Sequence, residues 1–154
     1  MNASIYITRK LSLGPKSRQT VIDIIAYLFI FLFLYTAYSK FSDLESFRTV
    51  LAASPLVGSF AGSAALAVPT VEAIIAALLI APAARVTGLR LSLALMLVFT
   101  GYLIYMVLTA SALPCNCGGV INSMSWTEHI FFNAGFTVLA MAALLLHKQQ
   151  LKIH

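Results

Sequence analysis

The chain has 154 residues, of which 60% are hydrophobic and 10% are charged. An average soluble domain has about 45–50% apolar and about 25% charged residues, so this composition excludes a soluble globular domain. A helix needs ~20 residues to cross a ~30 Å hydrocarbon layer, and four crossings would therefore take about 80 residues. The remaining length suffices for tails and loops but not for a second domain.

Four apolar segments are long enough to predict transmembrane helices. The first covers residues 21–38, and Asp23 lies close enough to its start for the carboxylate to reach the membrane interface. The basic residues before it also fit a signal peptide, but the apolar run exceeds the usual core of about 7–15 residues, so we expect it to stay attached. The other segments cover residues 66–82, 89–109 and 130–146.

Short sequence signals lie beside these segments. Ser42 and Glu45 have the spacing of a capping box, and apolar residues recur after them at helical spacing, which predicts an amphipathic helix on the membrane surface. Ser125 and Glu128 repeat the spacing and predict the start of the fourth helix. Small residues from Gly58 onward would let the chain approach a neighbouring helix closely.

The basic residues predict the orientation in the membrane. Eight of the ten lie in the two tails or between the second and third spans, and only Lys40 and Arg48 lie on the other side. Because basic loops stay in the cytoplasm, we expect both short tails there and the other loops outside. The positive charge then faces the cytoplasm and membrane lipid, which leaves no role for nucleic acid. The predicted fold is an all-α integral membrane protein, a single four-helix bundle with one surface helix.

Both cysteines lie in the loop between the third and fourth spans, which is expected to be outside the cytoplasm. Cys115 and Cys117 can form a disulfide there, and a bridge across so short a ring is strained and readily reduced. Gly118 and Gly119 leave the sulfur atoms open to a thiol partner. We favour a redox-active dithiol. A static disulfide and a Cu(I) site are alternatives, but such a bridge stabilises little and two sulfurs bind copper weakly.

Polar residues inside or beside the spans are further candidates. Glu72 lies six residues into the second span, where a carboxyl group must be protonated, paired or beside water. His129 titrates near neutral pH and could stabilise a thiolate or move a proton. Trp126 and Asn133 share its helical stripe, although membrane anchoring and helix packing also explain them. We predict a polar cluster around Glu72 that includes residues from two other helices: Tyr35, Tyr38, Lys40, Tyr102 and Tyr105.

Together these motifs resemble the MauE branch of the MauE/DoxX membrane proteins over about residues 22–146. In chain order they are Tyr38-Ser39-Lys40-Phe41, Pro69-x-x-Glu72, Gly88, Phe99-Thr100, Cys115-x-Cys117 and Trp126-x-x-His129-x-x-x-Asn133. The resemblance implies a bacterial inner-membrane protein associated with redox maturation of extracytoplasmic proteins and, in the founding context, with formation of methylamine dehydrogenase. Gly118 stands where family members often carry an aromatic residue.

The leading hypothesis is a thiol–disulfide relay. Cys115 or Cys117 would exchange with a periplasmic thioredoxin-like or client protein through a mixed disulfide. The sequence has no second cysteine pair, so the electrons must leave to another protein or to a membrane quinone near Glu72, His129 and the tyrosines. We favour the protein, because no sequence feature specifies a quinone pocket. The alternatives are an assembly subunit of a larger envelope complex with a static disulfide, and a solute or ion carrier based on Glu72.

Overall fold

The computed structural model describes residues 14–109 and 126–151, and the regular secondary structure in these ranges is entirely helical. The α-helices there are α1 (Pro15–Ser42), α2 (Leu44–Ala52), α3 (Ala61–Ile80), α4 (Arg85–Thr109) and α5 (Trp126–Leu151), and a 3₁₀ turn, Gly58–Phe60, precedes α3. Four of these helices, α1, α3, α4 and α5, are long and apolar enough to cross a membrane. The predicted all-α, four-span architecture is confirmed.

Most helix ends lie outside the apolar segments that predicted them, but α3 ends two residues before the predicted end at residue 82. α1 begins at Pro15, where proline is favourable because its φ is already helical and its missing N–H needs no partner. α3 begins at Ala61 rather than at residue 66 and ends at Ile80, before Pro82. It continues through Pro69, which is buried inside the helix. Helix formation needs local backbone hydrogen bonds rather than apolar side chains, so hydropathy alone underestimates these helices at their polar or small-residue ends.

The four long helices form a ring in which α1 packs against α3 and α5, and α4 packs against the same two helices. A dense apolar core fills the half of this ring that holds the start of α1 and the end of α3, which we call the packed end. Phe29 and Leu79 are fully buried there, and the ring of Phe136 meets Phe29 edge-on at 5.2 Å. A Cβ atom on Gly88 would lie 2.9 Å from Leu79 Cδ2, so a glycine lets α4 approach α3 closely.

Three polar side chains form a hydrogen-bonded group at the packed end. Arg85 donates from Nη1 to Asp23 Oδ1 at 2.6 Å, and its Nε donates to the carbonyl oxygen of Leu79 at 3.2 Å. Gln19 donates to the same aspartate oxygen at 2.8 Å. The side chain of Asp23 keeps 33% of its surface exposed. Arg85 therefore links the start of α4 to α1, and its partner Asp23 still contacts solvent.

The N-terminal cap of α2 differs from the predicted capping box. The cap residue is Asp43, whose side chain accepts a hydrogen bond from the backbone N–H of Ser46 at 3.4 Å. Ser42 is instead the last residue of α1. Because α1 stays helical through Ser42, the first non-helical residue available as a cap is the aspartate that follows.

The apolar face of α2 is confirmed, and it packs against the beginning of α3. Phe47 and Leu51 are buried against Ala61 and Ala65. A Cβ atom on Gly58 would lie 2.7 Å from the carbonyl oxygen of the last residue of α2, so this glycine permits the chain to turn back closely. The contact holds α2 against the opposite end of the ring, which we call the cavity end.

Candidate functional site

An ion pair joins the last turn of α1 to α3 at the cavity end. Lys40 donates from Nζ to Glu72 Oε1 at 2.7 Å, and the two side chains are 14% and 1% exposed. Removing a carboxylate and an ammonium group from water costs several kcal/mol for each ion, which only close pairing offsets. The pair therefore adds little net stability, although either charge alone would be strongly destabilising.

Two aromatic rings complete the surroundings of the lysine. Lys40 Nζ lies 5.7 Å from the ring centroid of Phe47 on α2 and 5.9 Å from that of Phe99 on α4. A cation at this distance from an aromatic face gains about 0.5–2 kcal/mol. The sequence indicated Phe47 only as part of an apolar face and Phe99 only as part of a motif, because no periodicity links residues on separate helices.

A cavity of about 440 Å³ adjoins the ion pair and is walled by all five helices. This volume lies within the ~300–1,000 Å³ that is usual for small-molecule sites. Its wall on α4 runs from Met96 to Tyr105, or about 14 Å at ~1.5 Å per residue. Most of the lining is apolar, and its polar members are Thr36, Lys40, Glu72, Tyr102, Tyr105, His129 and Asn133.

Three buried polar atoms on these walls have no hydrogen-bond partner among the described residues. They are Glu72 Oε2, Tyr102 Oη and Asn133 Nδ2. A buried polar group without a partner costs about 1–3 kcal/mol, and folded proteins leave few of them. An acceptor, a hydroxyl group and an amide donor on one mainly apolar cavity are typical of a site that binds a ligand through a few polar contacts.

The polar cluster predicted around Glu72 agrees only in part with the residues that line the cavity. Three of its five predicted members line the cavity with Glu72, namely Lys40, Tyr102 and Tyr105. His129 and Asn133, which the sequence placed on a separate stripe of the fourth helix, line it as well. Tyr38 is 74% exposed and lies outside the cavity, because two residues along a helix turn a side chain by about 200° away from Lys40. Tyr35 is also exposed. Thr36 was not predicted, although its position one helical turn before Lys40 could have identified it.

α4 is described to Thr109 and α5 from Trp126, both at the cavity end of the bundle, and residues 110–125 connect them in the sequence. α5 is helical from Trp126 onward, in agreement with the predicted fourth helix, whereas the predicted cap at Ser125 lies outside the described residues. Four predicted site residues lie in the same segment and are also outside the described residues: Cys115, Cys117, Gly118 and Gly119.

A comparison with known protein families matches most of the chain. The family model described as "Methylamine utilisation protein MauE" matches residues 18–146, which is most of the chain. The matched range contains both residues of the buried ion pair and every residue that lines the cavity. No curated protein and no solved structure matches the chain.

Proposed function

The chain belongs to the MauE family, membrane proteins linked to methylamine utilisation, and we propose that it carries out thiol–disulfide exchange during the maturation of proteins outside the cytoplasm. Cys115 and Cys117 are the exchanging pair. The observation that carries the proposal is their position along the chain. The segment with both cysteines connects α4 to α5 at the end where Lys40 and Glu72 are buried beside a cavity. The two helix ends that flank the cysteines in the sequence therefore lie at the same end of the membrane bundle as a buried ionisable pair.

In this proposal the cavity end faces the periplasm of a bacterial inner membrane. The packed end and its adjoining tails hold eight of the ten basic residues, which favours the cytoplasmic side. The two basic residues at the cavity end have acidic neighbours. Lys40 pairs with Glu72, and Arg48 Nη1 lies 3.9 Å from Glu45 Oε2. Both termini would then be cytoplasmic, and the cysteines would lie where disulfides persist.

The exchange takes place in two nucleophilic displacements at sulfur, which together transfer two electrons. A thiolate of a thioredoxin-like or client protein attacks one sulfur of the Cys115–Cys117 disulfide, and the other sulfur leaves as a thiolate. A second thiolate of the same partner then displaces the first sulfur and forms the partner's own disulfide. The partner has lost two electrons, and the pair has gained them. Turnover requires the two electrons to pass on to an acceptor.

Single serine variants test the exchange by trapping its intermediate. We expect Cys115→Ser or Cys117→Ser to accumulate a mixed disulfide with a periplasmic protein, because the remaining thiolate attacks the disulfide of the oxidised partner, expels one partner thiolate and has no second cysteine to resolve the bond. Non-reducing electrophoresis detects this adduct, and mass spectrometry identifies it. The double variant should give none. Each variant should remain in the membrane at normal amounts, because a disulfide across so short a ring adds little stability. Loss of the protein in both variants, without any adduct, would instead support a static disulfide in an assembly subunit.

Labelling of thiols in spheroplasts tests the orientation. A membrane-impermeant maleimide should label reduced Cys115 and Cys117 from outside. The matched control is a protein without native cysteines that carries Ala83→Cys, in the exposed connection between α3 and α4. That thiol should react only after the membrane is permeabilised. If the native cysteines are also labelled only after permeabilisation, they do not face the oxidising compartment, and the proposed exchange is excluded.

A further inference from the structure

The cavity at the Lys40–Glu72 pair suits an uncharged ligand. These two residues supply the fixed charges among the described lining residues, and the charges cancel across 2.7 Å. A ligand carboxylate or ammonium group would add an unpaired charge to a mainly apolar site, where nothing offsets the loss of its hydration. The ligand is therefore neutral and mainly apolar.

The unpartnered polar atoms define the polar groups of that ligand. Asn133 Nδ2 is a donor and Tyr102 Oη carries a hydroxyl hydrogen, so both can donate to a carbonyl oxygen. Glu72 Oε2 accepts, so it suits a hydroxyl group. Asn133 and Glu72 are 4% and 1% exposed, so bulk water does not satisfy them. The three atoms match a molecule that exists with carbonyl oxygens in one state and hydroxyl groups in another.

The position of the cavity indicates that this ligand comes from the membrane. Val98 and Gly101 belong to its wall, and both are exposed. They lie in the middle of α4, within a membrane-spanning segment, where the exterior contacts lipid rather than water. A lipid-soluble molecule can therefore reach the cavity from the bilayer.

We propose that the cavity binds the head group of a membrane quinone, which accepts the two electrons held by the cysteine pair. The electron-transfer part of this inference rests on the proposed exchange. Oxidation of two thiols to a disulfide releases two electrons and two protons, and reduction of a quinone to a quinol takes up two of each. The step is balanced without another oxidant. A quinone acceptor replaces the protein acceptor that the sequence favoured. That preference depended on the lack of a sequence feature that specifies a quinone pocket.

Binding of decylubiquinone to the protein in lipid nanodiscs tests the site. Tyr102→Phe removes one hydroxyl group from the cavity wall, and Tyr38→Phe makes the same change on the exterior. We expect saturable binding to the natural chain, a dissociation constant raised about 5–10-fold in Tyr102→Phe, and no change in Tyr38→Phe. n-Decylbenzene has a similar tail without oxygen atoms and should not compete. Absence of saturable binding, equal effects of the two variants, or equal binding of n-decylbenzene would overturn the proposal.

Two further measurements separate this proposal from the one on which it rests. Binding should persist in the Cys115→Ser/Cys117→Ser variant, because the described cavity contains neither cysteine. Reduced natural protein should form one quinol for every two thiols lost. Trapped mixed disulfides without quinone binding would refute the quinone site alone. Quinone binding without quinol formation and without any trapped partner would refute the exchange and the electron transfer, leaving only a ligand site.

Discussion

Each end of the bundle holds an ion pair between α1 and another part of the chain, and the two pairs are almost equally short. Arg85 and Asp23 are 2.6 Å apart at the packed end, and Lys40 and Glu72 are 2.7 Å apart at the cavity end. Their surroundings differ. Asp23 is 33% exposed and accepts a second hydrogen bond from Gln19, whereas Glu72 is 1% exposed and leaves one oxygen without a partner among the described residues.

The difference shows that burial and adjacent empty space, rather than contact distance, distinguish the two pairs. At the packed end, solvent and neighbouring groups satisfy the Arg85–Asp23 pair, and the apolar core beside it is dense, although Arg18 Nε and Nη1 are buried there without a partner among the described residues. At the cavity end, three polar atoms without a partner among the described residues lie beside a cavity of about 440 Å³. Proteins keep such costly arrangements mainly at functional sites, where stability elsewhere compensates for them. The packed end stabilises the bundle, and the cavity end is the candidate site.

The largest expected effect comes from unpairing the buried carboxylate. Lys40→Met leaves Glu72 without its partner and should cost about 3–5 kcal/mol. Arg85→Met is the matched change at the packed end and should cost only about 1–2 kcal/mol, because Asp23 keeps solvent and Gln19. Titration with SDS in mixed micelles, followed by circular dichroism, measures both free energies of unfolding.

A double variant tests whether the unpaired charge of Glu72 causes the loss of stability in Lys40→Met. Lys40→Met/Glu72→Leu removes both charges and should recover most of the stability lost in the single variant, since apolar replacements of a buried pair are often neutral. If Arg85→Met is as destabilising as Lys40→Met, or if the double variant recovers nothing, the difference in burial does not govern the two pairs.

Two glycines test the difference in packing density between the packed end and the cavity end. A Cβ atom on Gly88 would lie 2.9 Å from the side chain of Leu79 and 3.1 Å from its backbone nitrogen, so Gly88→Ala should cost about 1–3 kcal/mol. Gly101 lies beside the cavity, and a Cβ atom added there would meet nothing within 4 Å, so Gly101→Ala should cause no loss of stability and should raise it by up to about 1 kcal/mol through helix propensity. The same SDS titration compares them, and a similar loss in both would show that the cavity end is packed as tightly.

The smallest effects should have opposite signs at the two ends. Ser92 donates from Oγ to the carbonyl oxygen of Gly88 at 2.8 Å, so Ser92→Ala should cost up to about 1 kcal/mol. Asn133→Leu removes an amide whose Nδ2 has no partner among the described residues, and it should leave stability unchanged or raise it by up to about 1 kcal/mol. The same variant should lose decylubiquinone binding. A clear loss of stability in Asn133→Leu would show that the amide is satisfied within the folded bundle.

Local sequence was sufficient for the helices themselves. In lipid, a segment must satisfy its backbone hydrogen bonds internally, so a run of about 20 apolar residues predicts a membrane helix without knowledge of its neighbours. The amphipathic face of α2 was predictable for the same reason, since helical periodicity is a property of one segment. The cap at Asp43 was not, because it depends on how far α1 continues.

The sequence by itself determined that the chain forms four membrane helices and that Glu72, Lys40, His129 and Asn133 are unusual residues at one end of them. Only the tertiary structure decided that Lys40 pairs with a carboxylate 32 residues away and that Tyr38 faces outward. It also decided that a cavity lies between the helices and is lined by the four unusual residues. The physical reason is that helix formation is local, whereas the rotation of each helix and the space between helices follow from side-chain packing across the bundle.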